Sequence, residues 1–303
     1  MNMKTGLAAL VTALLLLPGI AQADELPMKA EAPITLTSPS AILCEASTGQ
    51  VIFEKNADER RPVASVNKVM TILLTLEAVD EGRVSLEDQV TVSPRAASMG
   101  GSQAFLDAGE RYKLSELLKT VIVASANDSA VALAEHLAGT EESFVRLMNT
   151  RAEELGLTNT HYANCTGLPA QEHYTTARDV AKLSAQLDLH PIYYRYSTIW
   201  MDEIKHRGGR VTSLTNTNRL IRFYPGCDGY KTGSTNEARY CVSATAKKEG
   251  MRLIAVVLGT PAGQTRFDEA RAMLEYGFAN VQLVTPIAQG QALDMTVPVR
   301  LGG

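Results

Sequence analysis

The sequence lacks the features that would suit a nucleic-acid partner or a metal centre. Its 29 lysines and arginines are outnumbered by 33 aspartates and glutamates, the formal net charge is −4, and no long basic run is present. Nucleic-acid-binding proteins normally carry a basic patch or stripe, so this class is disfavoured. No two of the five histidines have the helical spacing of a metal site, and the four cysteines form neither a CxxC nor a zinc pattern. We therefore expect no nucleic-acid partner, no metal ion and no cofactor.

Long apolar runs are also scarce, and the one that stands out lies at the N-terminus. A lysine precedes an apolar stretch over residues 7–20, and an Ala-Gln-Ala cleavage pattern follows at 21–23. The stretch is shorter than the ~20 apolar residues that a membrane span needs, so a cleaved signal peptide over 1–23 is favoured over an anchor. The sequence thus predicts export, to the periplasmic or extracytoplasmic face of the envelope or into the medium. Membrane association stays possible, although no anchor is visible in the chain.

The order of hydrophobic patterns predicts the fold class. A leader over 24–32 precedes a β-hairpin around residue 48, and a mainly helical stretch follows. Later apolar or β-branched runs predict strands at 211–214, 229–232, 240–246 and 253–258. A closing helix is predicted after them at 266–279. This order predicts an α/β (α+β) fold, in which helices flank an antiparallel sheet and a helical subdomain is inserted. Residues 281–303 alternate again and are predicted to start a truncated C-terminal β domain.

Ser65 and Lys68 lie three residues apart at the head of an apolar run, which predicts a buried helix that ends near Gly82. Residues i and i+3 share a helix face, so both side chains can point into one space, with Ser65 in the first turn. A serine hydroxyl needs a base in reach, and lysine can be that base if its pKa falls from about 10.4 towards roughly 7–8. Burial and a nearby cation both lower a lysine pKa. Alone, the pair is a weak signal.

Two further motifs strengthen the signal of the Ser65–Lys68 pair. A Ser-Ala-Asn motif at 125–127 interrupts a helical pattern, and a Lys-Thr-Gly-Ser motif at 231–234 lies in a predicted strand. In this order the three match the Ser-x-x-Lys, Ser-x-Asn and Lys-Thr-Gly set of the penicillin-recognising acyl-transfer enzymes. In these motifs and in other short segments, the chain resembles the low-molecular-mass D-alanyl-D-alanine carboxypeptidases, which are penicillin-binding serine peptidases of the DacA/DacF type. The resemblance covers about 33–300 and implies a β-lactamase/DD-peptidase-like catalytic domain at 33–280.

The resemblance implies three catalytic residues. Ser65 would attack the carbonyl between the two D-alanines, Lys68 would take its proton, and Ser125 would pass a proton to the leaving amine. The oxyanion hole would be formed by the backbone N–H groups of Ser65 and Ser234. A plainer reading of Ser125 is a helix cap.

The resemblance also implies the residues that bind substrate. Asn127 would hold the substrate amide, and Lys231 would supply a positive charge that keeps the catalytic lysine neutral. Thr232 and Arg266 would bind the terminal carboxylate, and Gly233 would let the substrate lie against the strand without a Cβ in the way. Plainer readings are a helix cap for Asn127 and a surface helix residue for Arg266.

The function implied is a serine D-Ala-D-Ala carboxypeptidase that trims peptidoglycan pentapeptides through an acyl-enzyme and is inhibited by β-lactams. Its partners would be peptidoglycan stem peptides and β-lactam antibiotics. A serine β-lactamase is a rival, but the loop over 159–175 holds only Glu172 and no asparagine at the Glu-x-x-x-Asn spacing. A non-catalytic β-lactam sensor is the rival from another class, although sensors usually lie behind transmembrane segments in a longer chain.

Two local features leave alternatives open. Asn67 stands where many relatives have threonine, so the hydrogen bonding beside the catalytic lysine is expected to differ. Cys227 and Cys241 lie symmetrically about Ser234, so a disulfide could tie the catalytic strand to its neighbour, or both could be buried thiols. Cys44, Cys165 and the histidines at 161 and 173 are expected to be loop or core residues.

Overall fold

The computed structural model describes residues 34–284. The predicted signal peptide and leader and nearly all of the predicted C-terminal β segment lie outside these residues. The strands are β1 (Ser40–Glu45), β2 (Val51–Lys55), β3 (Gln89–Thr91), β4 (Arg111–Lys113), β5 (Met201–Lys205), β6 (Val211–Thr215), β7 (Cys227–Thr235), β8 (Arg239–Lys248) and β9 (Met251–Thr260). The α-helices are α1 (Lys68–Asp80), α2 (Pro94–Ala97), α3 (Leu114–Val123), α4 (Asn127–Ala138), α5 (Glu141–Glu154), α6 (Ala177–Gln186), α7 (Ile192–Ser197), α8 (Leu220–Phe223) and α9 (Thr265–Asn280).

The main sheet has five antiparallel strands in the order β2-β1-β9-β8-β7. Its central strand β9 carries a continuous apolar run because both faces of the sheet are covered. Helix α9 packs on one face, and α6 packs on the other. Strand β7, which carries the Lys-Thr-Gly-Ser motif, therefore lies at an edge of the sheet.

The helices α1 to α6 lie between β2 and β7 in the chain and form the helical insertion. Helix α1 is buried along most of its length, as its apolar sequence predicts, and contacts α3, α4, α5 and α6. The predicted fold class, an antiparallel sheet flanked by helices with a helical insertion, is confirmed. Of the predicted sheet strands, residues 211–215 differ, because β6 pairs with β5 in a separate two-stranded sheet.

The structure contradicts a Cys227–Cys241 disulfide. Thr235 pairs with Arg239, so the β7–β8 hairpin is centred three residues after Ser234 rather than on it. Cys241 consequently lies opposite Gly233, and Cys227 lies opposite Ala246 at the far end of the ladder. All four cysteines are buried free thiols.

Within residues 34–284, no helix is both long enough and apolar enough to cross a membrane.

Candidate active site

The nucleophile candidate lies on a tight turn just before α1. Residues 64–67 form a 3₁₀ turn, and the α-helix begins at Lys68, so Ser65 precedes the helix and is not in its first turn as expected. Side chains at i and i+3 eclipse in a 3₁₀ turn, which still brings the two groups together. The Nζ of Lys68 lies 2.9 Å from the Oγ of Ser65. Ala64 has a φ of +49°, so the turn holds a non-glycine residue in the left-handed region.

Lys68 is fully buried, and burial lowers its pKa to about 7. The nearby acidic groups of Cys165 and Asp128 act in the opposite direction but do not outweigh burial. Its Nζ also donates a hydrogen bond to the backbone oxygen of Thr166, at 2.6 Å. A lysine with this pKa is partly neutral near pH 7, and the neutral amine can accept a proton, as a general base must.

Strand β7 lies directly against this turn. A Cβ added to Gly233 would be 2.5 Å from the backbone oxygen of Val63 and 2.8 Å from the backbone nitrogen of Ser65. The need for glycine thus comes from the close approach of strand and turn, not from room for a substrate as the resemblance implied. Because side chains alternate along a strand, Lys231 shares this face, whereas Thr232 and Ser234 lie on the other.

Lys231 is also buried, and the pKa of its ammonium is lowered well below the usual range by burial and by the cations of Lys68 and Arg266. Two ammonium groups in one buried site oppose each other's charge. These shifts alone do not give the expected division, with Lys231 charged and Lys68 neutral, because burial lowers the pKa of both lysines.

Ser125 and Asn127 lie at the break between α3 and α4. Ser125 is buried with a φ of +64°, and Asn127 is the first residue of α4. The N-cap of α4 is Ala126, without a side-chain capping bond, so the plainer reading of both residues as helix caps is wrong. The Nδ2 of Asn127 donates to the carbonyl of Gly100 at 2.7 Å.

Several polar atoms of the predicted site lack partners. Within residues 34–284, a few buried side-chain polar atoms make no hydrogen bond, and more than half of them belong to predicted site residues: Ser125 Oγ, Asn127 Oδ1, Lys231 Nζ and Arg266 Nε. Each such atom typically costs about 1–3 kcal/mol, so native proteins keep few. Their concentration in one set of residues makes this a polar site, in which water or a polar ligand can complete these bonds.

Arg266 is not a plain surface residue. Its Nη1 donates to the carbonyl oxygens of Gly233, at 2.9 Å, and of Cys241, at 3.3 Å. Its guanidinium lies 4.7 Å from the ring centre of Phe267. The arginine thus joins the start of α9 to β7 and β8 and leaves a cation beside the Lys-Thr-Gly-Ser motif.

Thr166 and Asp128 support the site but belong to none of the roles that the three motifs imply. The Asp128 carboxylate is buried and accepts hydrogen bonds from the backbone N–H groups of Ala104 and Leu106. Thr166 lies in a turn over residues 164–167, in which the backbone N–H of Gly167 donates to the side chain of Asn164. An asparagine followed three residues later by a glycine is a sequence signal for such a turn. The bond from Lys68 to Thr166 and the bonds from Ala104 and Leu106 to Asp128 join residues that are distant in sequence, so no local pattern reveals them.

One group of possible metal ligands occurs in the described part of the chain: Asp107, Glu110 and His206. Both ring nitrogens of His206 already have hydrogen-bond partners, the hydroxyls of Tyr112 and Thr212. Asp107 pairs with Arg210. These bonds explain the group as a polar cluster that links the β5–β6 hairpin to β4 and the loop before it.

Comparisons with known proteins agree with this geometry. The sequence model of the D-alanyl-D-alanine carboxypeptidase family matches residues 27–262. The chain is 45% identical over 243 residues to D-alanyl-D-alanine carboxypeptidase DacF of Bacillus subtilis, covering 80% of this chain and 62% of that protein. It is 38% identical to DacC of Escherichia coli, covering 84% of this chain and 65% of that protein. The chain thus spans slightly less than two thirds of the length of these relatives.

A solved structure supports the same assignment. Penicillin binding protein 6B of Escherichia coli superposes with a TM-score of 0.81 at 32% identity, covering 89% of this chain and 85% of that one. The fold predicted from the motif resemblance is therefore confirmed. Because the family model matches well over half of the sequence, the chain belongs to the D-alanyl-D-alanine carboxypeptidase family, as its three motifs predicted.

Proposed function

We propose that the protein is a serine D-Ala-D-Ala carboxypeptidase that removes the terminal D-alanine from peptidoglycan pentapeptides. The observation that carries this proposal is the contact of 2.9 Å between Ser65 Oγ and the buried Nζ of Lys68, whose pKa is about 7. A hydroxyl within reach of an amine that can accept its proton is an activated nucleophile. The names of the family and of its relatives supply the substrate class.

In the first step, Ser65 Oγ attacks the carbonyl carbon of the D-Ala-D-Ala bond, and its proton moves to Lys68. The resulting oxyanion is held by the backbone N–H groups of Ser65 and Ser234, which are the oxyanion-hole donors of this proposal. The C–N bond then breaks, and the leaving D-alanine amine receives a proton through the hydroxyl of Ser125. Water releases the acyl group from Ser65 in the second half of the reaction.

The unpartnered buried atoms suit the ends of this substrate. The free Oδ1 of Asn127 can accept the N–H of a substrate amide. The ammonium of Lys231 and the guanidinium of Arg266 can attract the terminal carboxylate, with Thr232 as a further donor. A bound carboxylate would also favour the charged form of Lys231, which in turn favours a neutral Lys68.

A cleft beside the nucleophile is available for the rest of a stem peptide. A cleft of about 310 Å³ begins at Val63 and Ala64, beside the nucleophile, and runs between the loop from Gly167 to Tyr174 and the end of β7 at Thr235. In this proposal the acyl side of the peptide occupies this cleft. Residues 33–280 form the catalytic domain, and the protein acts on the extracytoplasmic side of the membrane, where it meets stem peptides and β-lactams.

The test is D-alanine release from an acyl-Lys-D-Ala-D-Ala peptide by the protein without residues 1–23, measured beside Ser65→Ala. Release by the parent and none by the variant would support the proposal. Uptake of labelled penicillin by a folded parent that releases no D-alanine would contradict it and favour the non-catalytic sensor. Rapid release of hydrolysed penicillin without peptide cleavage would favour a β-lactamase.

A further inference from the structure

Asn67, the residue between the nucleophile and the proposed base, uses its whole side chain to hold a distant loop. The side chain is buried, with 2% of the residue exposed. Its Nδ2 donates to the backbone oxygen of Asn164 at 3.2 Å. Its Oδ1 lies 3.0 Å from the Nε2 of His173. Asn67 therefore contacts both ends of the segment 164–173, which we name the clamp loop.

The bonds of His173 fix which nitrogen carries the proton. The backbone N–H of Ala163 donates to the Nδ1 of His173 at 3.3 Å, so Nδ1 carries no proton. The Nε2–H must then be the donor to the Oδ1 of Asn67. Burial lowers the pKa of His173 to about 4, with the charge of His161 as a second cause, so the ring is neutral at neutral pH. The pair is thus a defined donor and acceptor.

The clamp loop carries the second partner of the catalytic lysine. The backbone oxygen of Thr166 accepts from Lys68 Nζ at 2.6 Å. The side-chain oxygen of Asn164 shapes this turn by accepting from the N–H groups of Thr166, at 3.1 Å, and Gly167, at 2.7 Å. A Cβ on Gly167 would lie only 2.0 Å from the backbone oxygen of Ala64. The clamp loop is therefore seated directly on the turn that bears the nucleophile.

This seating matters because of the shape of a neutral amine. Neutral Lys68 has two N–H donors and one lone pair, and only the lone pair can take the proton of Ser65. When one N–H is fixed on the Thr166 oxygen, rotation of the amine is restricted and the lone pair can face Ser65 Oγ. A shift of the carbonyl by about 1 Å would misalign the proton transfer, and such shifts can cost about a hundredfold in rate.

We propose that Asn67 and His173 are positioning residues for acylation, because together they hold the clamp loop so that the Thr166 carbonyl aims the lone pair of Lys68 at Ser65. This inference rests on the proposed function, since it concerns the same nucleophile and base. Neither residue touches the reacting atoms. Their effect passes through the backbone of the clamp loop.

The test separates positioning from mere stabilisation. Acylation of the full chain by a labelled penicillin is followed at several concentrations, which gives the acylation rate constant and the half-saturating concentration separately. The variants are Asn67→Ala, His173→Ala, the double variant and His173→Gln, whose amide N–H can still donate to Asn67. His161→Ala is the matched control, because that histidine bonds the carbonyl of Glu172 within the same loop and does not contact Asn67.

We expect each single alanine variant to lower the acylation rate constant by about 10- to 100-fold, with a half-saturating concentration within about threefold of the parent. The double variant should be no slower than the slower single variant, because both break one unit. His173→Gln should recover most of the rate, and His161→Ala should stay within about twofold of the parent. Circular dichroism and the melting temperature check folding. If His173→Ala does not fold, the larger His173→Leu replaces it.

Other outcomes would overturn the inference. It is wrong if the parent is acylated and folded Asn67→Ala and His173→Ala (or His173→Leu) match its rate constant, or if only the half-saturating concentration changes. It is also wrong if the effects of the two single variants simply multiply in the double variant. A parent that takes up no penicillin would instead reject the proposed function, and the inference with it.

Discussion

In the proposed mechanism, the protonation state of Lys68 decides whether the site can react. In the ordinary range of lysine it would be charged at pH 7 and could not accept the serine proton. Burial lowers its pKa to about 7, and within residues 34–284 the Thr166 oxygen and Ser65 Oγ are the only hydrogen-bond partners of its Nζ. The residue therefore changes between an inactive and an active form close to neutral pH.

The pH profile of acylation should show this directly. Below its pKa Lys68 is protonated, so the acylation rate constant should fall about tenfold per pH unit below about pH 6 and level off above about pH 8. Labelled penicillin uptake between pH 5 and 9 measures this. Lys68→Arg is the control and should be inactive throughout, because a guanidinium stays protonated in this range. A rate constant that does not change between pH 5.5 and 8.5 would contradict the role of Lys68 as base.

At the same scale, the sequence predicts which residues meet but not why each is needed. The spacing of Ser65 and Lys68 predicts their contact, because three residues define one helix face or one 3₁₀ turn. Gly233 was expected to make room for substrate, whereas its missing Cβ makes room for the Ser65 turn. The partner of Asn67 could not be predicted, since His173 lies 106 residues away and no local pattern connects them.

At the scale of elements, Asp128 fixes the loop before β4 to the start of α4. Its carboxylate accepts the N–H groups of Ala104, at 3.0 Å, and Leu106, at 3.1 Å. The backbone N–H of Asn127 donates to the oxygen of Ser102 at 2.7 Å in the same contact. This loop also supplies the Gly100 carbonyl that orients the Asn127 side chain. Asp128 therefore supports the site without belonging to any of the three motifs.

Asp128→Ala should weaken both the fold and the reaction. It leaves three buried N–H groups, those of Ala104, Leu106 and Ser129, without their side-chain acceptor, and each loss should lower the free energy of unfolding by about 1–3 kcal/mol. Acylation should slow because Gly100 no longer holds Asn127 in place. Urea unfolding and penicillin uptake measure the two effects. Asp107 is an exposed carboxylate in the same loop and provides the control. Asp107→Ala should change the free energy of unfolding by less than about 0.5 kcal/mol. Equal stability of the two variants would show that the Asp128 bonds do not hold the loop.

Local patterns predict most elements but not all their partners. The β1–β2 hairpin and the end of α1, expected near Gly82 and observed at Asp80, follow from turn and periodicity signals, and the structure confirms them. The strand β6 was expected in the main sheet but pairs with β5, because alternation identifies a strand and not the strand beside it. Of the two alternatives left open for Cys227 and Cys241, the structure supports two buried thiols, because the hairpin is centred three residues after Ser234 and the two cysteines do not lie opposite each other.

At the scale of the whole molecule, the helical insertion and the sheet share one hydrophobic core. A single buried cluster includes Leu117 and Phe144 of the helices together with Ile254 and Val256 of β9. Since neither part has a core of its own on this side of the sheet, we expect the two to unfold together. Cys165 on the helical side and Cys241 in the sheet both belong to this cluster, so their thiols can report on each part separately.

Thiol labelling tests this cooperativity. Both thiols are buried, and burial raises the pKa of Cys241 to about 11 and that of Cys165 well above its usual value, so neither should react in the native protein at pH 7.5. In denaturant without reductant, all four cysteines should react, because the structure contains no disulfide among them. In partial denaturant, labelling followed by mass mapping should modify Cys165 and Cys241 at the same rate, since one opening exposes both. Fewer than four reactive thiols would indicate a disulfide. Labelling of Cys165, which lies in the clamp loop, while Cys241 stays protected would show that this loop opens without the sheet.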